Sequence, residues 1–334
     1  MVRDQHLNVW DIGNYYGVIN HGIELLVCGM SQADWDSIME YYPQAKFLNY
    51  SHISEVFEQE PDVIDVPDPF YPFSQYFTER FKRTVVVGWE NLPGKTLFSR
   101  GAQRCLEQAW KCTARSPMAR HELKFNGVPN SKIKVIPGAV DTDFFKPDIP
   151  VEKRRRAVLF VGRVTQEKGF LDILWALHQS GIPLWVAGAS EPPLQYQKWL
   201  EQLDVEIEWL GFLNRTELRD LYQRAGVLCV PSIPLVNDTD PFAQWSEQFG
   251  QVFIEAMACG CPIVSTNSGA IPWVVKGSNH LVDPRDWPML LGEIKALLDN
   301  PDLRMSASIL GRQFAVEFYD QKVIGQRIKE WYEL

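Results

Sequence analysis

"AVLFVGRVTQEKGFLDILWALHQSGIPLWVAG", residues 157–188, sets short apolar runs on either side of a longer amphipathic segment. Runs such as AVLFV and PLWVA are too short for buried helices and suit strands covered on both faces. The intervening FLDILWALHQ has the length and spacing of a helix. A helix between two such strands lets them lie parallel, because parallel neighbours need a crossover connection. The same grammar continues through PLQYQKWLEQL, VEIEWLG, RTELRDLYQRA, VLCVPS, VFIEAMA and PIVST. This predicts an α/β unit, a parallel sheet wound with helices on both faces. Residues 18–145 repeat the pattern less regularly. IELLVCG, PDVIDVP, RTVVVGW and KIKVIPG read as strands, and residues 31–42 and 96–110 as helices.

The chain has 334 residues, 46% hydrophobic and 22% charged, enough for two cores of ordinary domain size. The prolines and charges of FKPDIPVEKRRR break the pattern, so a boundary is expected there, with residues 153–156 as a solvated linker. The expected units are residues 1–150, 151–314 and a terminal helix, 315–334, returning to the first. Two doubly wound units imply a cleft, with ligands beyond the carboxyl ends of the strands. A net charge of −9 argues against a nucleic-acid partner. The six cysteines, 28, 105, 112, 229, 259 and 261, lie mostly in apolar runs and read as buried thiols of a reducing cytoplasm. Cys259 and Cys261 have no second cluster at metal-ligand spacing, and no structural zinc is expected. MVRDQHLNVWDIGNYYG has no apolar signal core, and no run approaches the ~18 apolar residues of a membrane span. Any membrane contact is therefore expected to be peripheral. Phe73, Phe77 and Phe81 at four-residue spacing, with Arg80, Lys82 and Arg83 alongside, suit core packing and, less often, interfacial anchoring.

The chemistry concentrates in the second half. Arg163 and Lys168 lie on the loop after the strand AVLFV, where two cations suit a phosphate. In SEQFGQVFIEAMACG, Gly250 can end a loop and residues 251–258 can begin a helix. The first N–H groups of such a helix lack partners within it and form an anion site. Glu247 and Glu255 flank this start. Eight helical residues rise ~12 Å, which suits a long ligand better than one proton transfer. A diphosphate in the middle, with hydroxyl-bearing sugars at both ends for the carboxylates, fits the array. Either glutamate alone also suits an exposed or dipole-complementing role.

These residues carry a resemblance. GRVTQEKG, GFLNRTEL, EQFGQVFIEAMACGCPIVSTNSGAIPWVV and, before them, SKIKVIPGAVDTDFFKP occur in order over residues 131–275. Together they resemble the retaining nucleotide-sugar glycosyltransferases of family 4, which have the two-Rossmann-domain GT-B architecture. The resemblance implies that Gly162, Arg163 and Lys168 meet the donor diphosphate. It implies that Glu247 contacts the transferred sugar and that Phe249, Gly250, Gln251 and Val252 line the sugar and phosphates. Glu255 would hold the ribose, and Gly211 and Phe212 the nucleobase. Glu247, Arg163 and Lys168 are the expected catalytic set. The implied reaction is metal-independent transfer of a sugar, with retention, to a glycan, lipid-linked or small-molecule hydroxyl. No cofactor is implied beyond the nucleoside-diphosphate sugar as co-substrate.

Two departures and three rivals accompany this reading. A first strand running into a glycine-rich loop is absent or degraded before GVINHGIELLVCG, and Pro67 stands beside Asp68 where many relatives have a histidine. Asp68, Glu90 and Asn91 are the expected acceptor residues, with capping and loop solvation as their alternative. An Asp-x-Asp at 141–143 or 238–240 could instead hold a divalent ion, although Asp141 also suits a brace for the turn before the linker. The scaffold also suits a sugar-nucleotide epimerase or glycan phosphorylase, or a catalytically silent sugar-nucleotide binder.

Overall fold

The computed structural model describes residues 26–29, 46–49, 55–58, 60–67, 69–70, 72–88, 100–237, 240–276 and 280–334. The chain divides into two compact units, Met1–Ala139 with Tyr319–Leu334, and Val140–Phe318. Both are built on parallel sheets with helices.

In the first unit, β1 (Leu26–Gly29) pairs in parallel with β2 (Lys46–Asn49). A second parallel sheet has the order β3 (Ile64–Pro67), β4 (Thr84–Gly88), β5 (Lys111–Ala114) and β6 (Ile133–Val135). Its helices are α1 (Glu55–Glu58), α2 (Pro72–Arg80), α3 (Arg100–Gln108) and α4 (Pro117–Phe125). α4 starts where it does because Ser116 accepts from the Ala119 amide and Pro117 follows at the first helical position. β4 is buried throughout, as VVV predicts for a central strand. On one face Val86, Cys105, Leu106 and Leu123 form the core. The Phe73, Phe77 and Phe81 stripe joins it: Phe77 is buried, and Phe73 and Phe81 pack against the cluster. The stripe thus takes the core-packing role, the first of its two expected readings. On the other face Val85, Ile136 and Ala139 meet Ile324, Ile328 and Tyr332 of the terminal helix, Gln321–Tyr332.

The terminal helix ends on a set of cations. Arg83 donates to the Tyr332 carbonyl at 2.6 Å, Lys111 to the Trp331 carbonyl at 2.6 Å, and both stack on the Trp110 ring. Positive charge at a helix carboxyl end complements its dipole.

The second unit has a six-stranded sheet. In chain order its strands are β7 (Arg155–Val161), β8 (Leu184–Ala187), β9 (Ile207–Gly211), β10 (Ala225–Cys229), β13 (Ile263–Thr266) and β14 (Leu281–Val282). Across the sheet they run β14-β13-β10-β7-β8-β9, with all described pairings parallel. An antiparallel hairpin, β11 (Leu235–Asn237) and β12 (Asp240–Trp245), follows β10. The helices are α5 (Phe170–Leu177), α6 (Gln197–Gln202), α7 (Arg215–Arg224), α8 (Gln251–Ala258), α9 (Ile271–Val274), α10 (Trp287–Asp299) and α11 (Pro301–Tyr319). Asn214 and Glu217 close a capping box at the start of α7.

The charge run at 153–156 is not a solvated linker. Arg155 and Arg156 open β7, and Arg154 is buried, donating to the carbonyls of Tyr222 and Cys259 at 3.2 and 2.8 Å. Arg312 likewise donates to the carbonyls of Thr142, Phe145 and Ala258 at 2.8–3.0 Å. The two guanidiniums therefore satisfy the carboxyl end of α8, and Arg312 also ties residues 142–145 into the second unit. Asp141 accepts from the amides of Asp143 and Phe144 at 3.1 and 3.0 Å, bracing that turn. Asp238 lies outside the described residues, as do Asp68, Glu90, Asn91 and the helix expected at 31–42. Cys105, Cys112, Cys229, Cys259 and Cys261 are buried free thiols. Burial pushes the Cys112 thiol up to about 12 and that of Cys261 to about 11. No helix among the described residues is long and apolar enough to cross a membrane.

Candidate functional site

β10 turns back to the opposite side of β7 from β8, so the winding reverses between β7 and β10. Loops leaving the carboxyl ends of strands diverge at such a reversal and leave a crevice for a ligand. The loop after β7 carries Gly162, Arg163 and Lys168; the segment after β10 carries Ser232 and, beyond the hairpin, Glu247. The two are held together by backbone. Ile233 N donates to Glu167 O at 3.0 Å, and Gly169 has a φ of +70 with a position for Cβ only 1.9 Å from Pro231 O. A side chain at 169 would force these loops apart.

Lys168 and Glu247, 79 positions apart, form an ion pair with Nζ 2.6 Å from Oε2. The same oxygen accepts from Ser232 Oγ at 3.0 Å, and Lys168 also lies 5.2 Å from the Trp245 ring centroid. Glu247 is only 5% exposed. A buried carboxylate is tolerable when a cation and a hydroxyl replace its water, as they do here. Its backbone is fixed too: Glu247 O accepts from Ala270 N at 2.8 Å, and a Cβ on Gly269, at φ +55, would fall 2.4 Å from that carbonyl. Arg163, by contrast, is exposed and pairs with Glu167 at 3.2 Å one turn along the loop.

α8 begins where the sequence places it. Gly250 is its cap residue at φ +77, without a side-chain cap, and Phe249, Gln251 and Val252 around it are buried. Glu255 faces a different set. Its Oε2 accepts from the Tyr222 hydroxyl at 3.1 Å, and burial raises its carboxyl to about 7 against the opposing pull of Tyr222, Arg215 and Gln251. The Tyr222 hydroxyl is itself pushed well up, first by burial and then by the Glu255 charge. The start of α8 therefore has one carboxylate held by a lysine and a second held by a phenol.

Gly211 and Phe212 follow β9. Phe212 is 85% exposed and borders a hollow of about 660 Å3. Ser232, Tyr222 and Gly269 were not singled out from sequence. Only Ser232 carries a usable signal, as the polar end of the otherwise apolar VLCVPS at a strand's carboxyl end.

Residues 141–314 match the family described as Glycosyl transferases group 1, and residues 37–144 match Glycosyltransferase Family 4. The chain belongs to the glycosyl transferases group 1 family. A D-inositol 3-phosphate glycosyltransferase of Corynebacterium jeikeium is 31% identical over 218 residues, 56% of this chain and 48% of that protein. The chain thus spans about half the length of this curated relative. Among solved structures, Anabaena HepE, crystallised with UDP-glucose, has a TM-score of 0.72 at 20% identity over 96% of this chain and 94% of HepE. A glycosyltransferase from Rickettsia africae has a TM-score of 0.76 at 17% identity over 99% and 96%. The fold is that of the GT-B glycosyltransferases of family 4, and the Lys168–Glu247 pair and the start of α8 lie within the stretch matched to the group 1 family.

Proposed function

We propose that the protein transfers a sugar from a nucleoside-diphosphate sugar to an acceptor hydroxyl, with retention at the anomeric carbon and without a divalent ion. The observation that carries this is the convergence of Lys168, Glu247 and the start of α8 at the reversal point of a parallel sheet. HepE, crystallised in complex with UDP-glucose, supports a nucleotide-sugar donor. In this reading the diphosphate lies over the first turn of α8, with Lys168 and Arg163 supplying its counter-charge. A fixed helix start and two cations stabilise a leaving diphosphate without reorganising as charge develops.

Lys168 is held by Glu247 before donor binds, so the ligand must share or take over that ammonium. Glu247 is then released toward the sugar hydroxyls, and Glu255 toward the ribose. The acceptor oxygen bonds to the anomeric carbon as the carbon–phosphate-oxygen bond breaks on the same face, and the acceptor's proton passes to the leaving phosphate. The acceptor is a glycan, lipid-linked or small-molecule hydroxyl, and its recognition is assigned to the first unit. The protein contributes positioning and charge stabilisation, with no covalent intermediate.

The test is release of nucleoside diphosphate from a panel of donors, with and without acceptor. Release only with acceptor, a product of unchanged anomeric configuration by NMR, and full activity in chelator are expected. Release without acceptor together with scrambled donor stereochemistry would identify an epimerase, and restoration of activity only by magnesium or manganese would overturn the metal-independent account. Lys168→Ala should weaken a nucleoside diphosphate on the order of 10-fold or more while leaving the bare nucleoside unaffected, since only the former presents charge.

A further inference from the structure

The hollow bordered by Phe212 lies beyond the carboxyl ends of β8 and β9, and Ser190, Glu191, Leu194, Gln197 and Phe212 line it. Leu194 is 82% and Phe212 85% exposed. Single exposed apolar side chains are ordinary, but two facing one hollow form a surface on which a flat ring can lie. Gly188, which lines the hollow, has a φ of +122, and a Cβ there would fall 2.2 Å from Gly162 O. The hollow therefore borders the start of the loop that carries Arg163 and Lys168, and a nucleotide whose phosphates meet that loop can direct its base here.

Two backbone amides beside the hollow are committed to the sheet edge. Gly188 N donates to Gly211 O at 2.8 Å, and Gly211 N donates to Ala189 O at 3.0 Å. Of the lining side chains, Ser190, Gln197 and Glu191 are the ones that can read a base edge. Ser190 and Gln197 can both donate and accept and so tolerate any edge, whereas the carboxylate of Glu191 can only accept. An exposed carboxylate on the rim favours a base with adjacent N–H groups and disfavours one that turns carbonyl oxygens or bare ring nitrogens toward it.

We infer that this hollow receives guanine, making the donor a guanosine-diphosphate sugar, with Glu191 as the selecting residue. The inference rests on the donor reading above. Guanine presents a ring N–H beside an exocyclic amino group, and both can point at one carboxylate in a two-pronged, charge-assisted contact. Uracil presents a single N–H between two carbonyl oxygens, which a carboxylate repels. Adenine and cytosine each pair one amino group with an unprotonated ring nitrogen, so half of their edge opposes Glu191. Phe212 and Leu194 contribute contact to any base and do not discriminate.

Calorimetric titration of the full chain with GDP, UDP and ADP tests this, alongside Glu191→Gln and Phe212→Ala. The expected result is GDP binding at least roughly tenfold tighter than either rival. That preference should collapse in Glu191→Gln, and Phe212→Ala should weaken all three by a similar factor. UDP or ADP binding as tightly as GDP would overturn the base assignment, and so would a GDP preference that survives Glu191→Gln. Failure of all three diphosphates to bind would overturn the donor reading itself, whereas binding without base preference would overturn only this inference.

Discussion

Glu247 and Glu255 are alike in type and differ in what holds them. Glu247 shares Lys168 at 2.6 Å and Ser232 at 3.0 Å. Replacing it with alanine frees the lysine for a phosphate, so Glu247→Ala should keep or improve nucleoside-diphosphate affinity. Turnover should fall on the order of 100-fold, because positioning at the reacting carbon is lost. Separate measurement of diphosphate binding and of kcat checks the split; loss of diphosphate binding in a folded variant would reverse the ligand's direction along α8. Glu255 makes a pH prediction. Its carboxyl is raised by burial from 4.5 to about 7, so between those values the native chain holds a proton that the unfolded chain releases. Stability from this group is full below the lower value and is lost as pH rises through the upper one. Urea midpoints of the wild type should therefore fall more between about pH 5 and about pH 8 than those of Glu255→Gln. Parallel pH curves for the two proteins would show that Glu255 titrates normally.

At the scale of elements, two glycines with left-handed backbone set the position of the site. Gly250, at φ +77, lets the loop turn directly into α8, and an added Cβ would meet Phe253 Cδ2 at 2.4 Å. Gly269, at φ +55, lets the start of the α9 segment pass under Glu247, and its Cβ would meet Glu247 O at 2.4 Å. An L-residue in that region costs ~1–2 kcal/mol before any clash is counted. Gly269→Ala is expected to lower the melting temperature and to reduce kcat while changing diphosphate affinity little, because the displaced backbone is that of Glu247. A variant that loses diphosphate affinity with kcat retained would place the strain on α8 instead.

For the molecule as a whole, the terminal helix belongs to the first unit although it follows the second in the chain. Ile324 and Ile328 are buried against Val85 and Ile136, each contributing ~1.5–3 kcal/mol by burial. The Tyr332 hydroxyl reaches Asp65 Oδ2 at 2.5 Å. Ending the chain at residue 318 should therefore open the first unit and spare the second. Hydrogen exchange should rise in β3–β6 while β7, β8 and β10 stay protected; unchanged exchange in β4 would refute the bracing role. Much of the second unit could be read directly from residue order. The alternation from AVLFV to PIVST predicts its parallel sheet, and Gly250 followed by QVFIEAMA predicts the limits of α8, because strand and helix periodicity and glycine's backbone freedom act over a few residues. The order of strands, the burial of Arg154 in what reads as a solvated charge run, and the pairing of Lys168 with Glu247 and of Tyr222 with Glu255 came only from the tertiary structure. Those contacts join positions 33 to 105 apart, and no local pattern encodes which crossover brings two distant loops to the same end of a sheet.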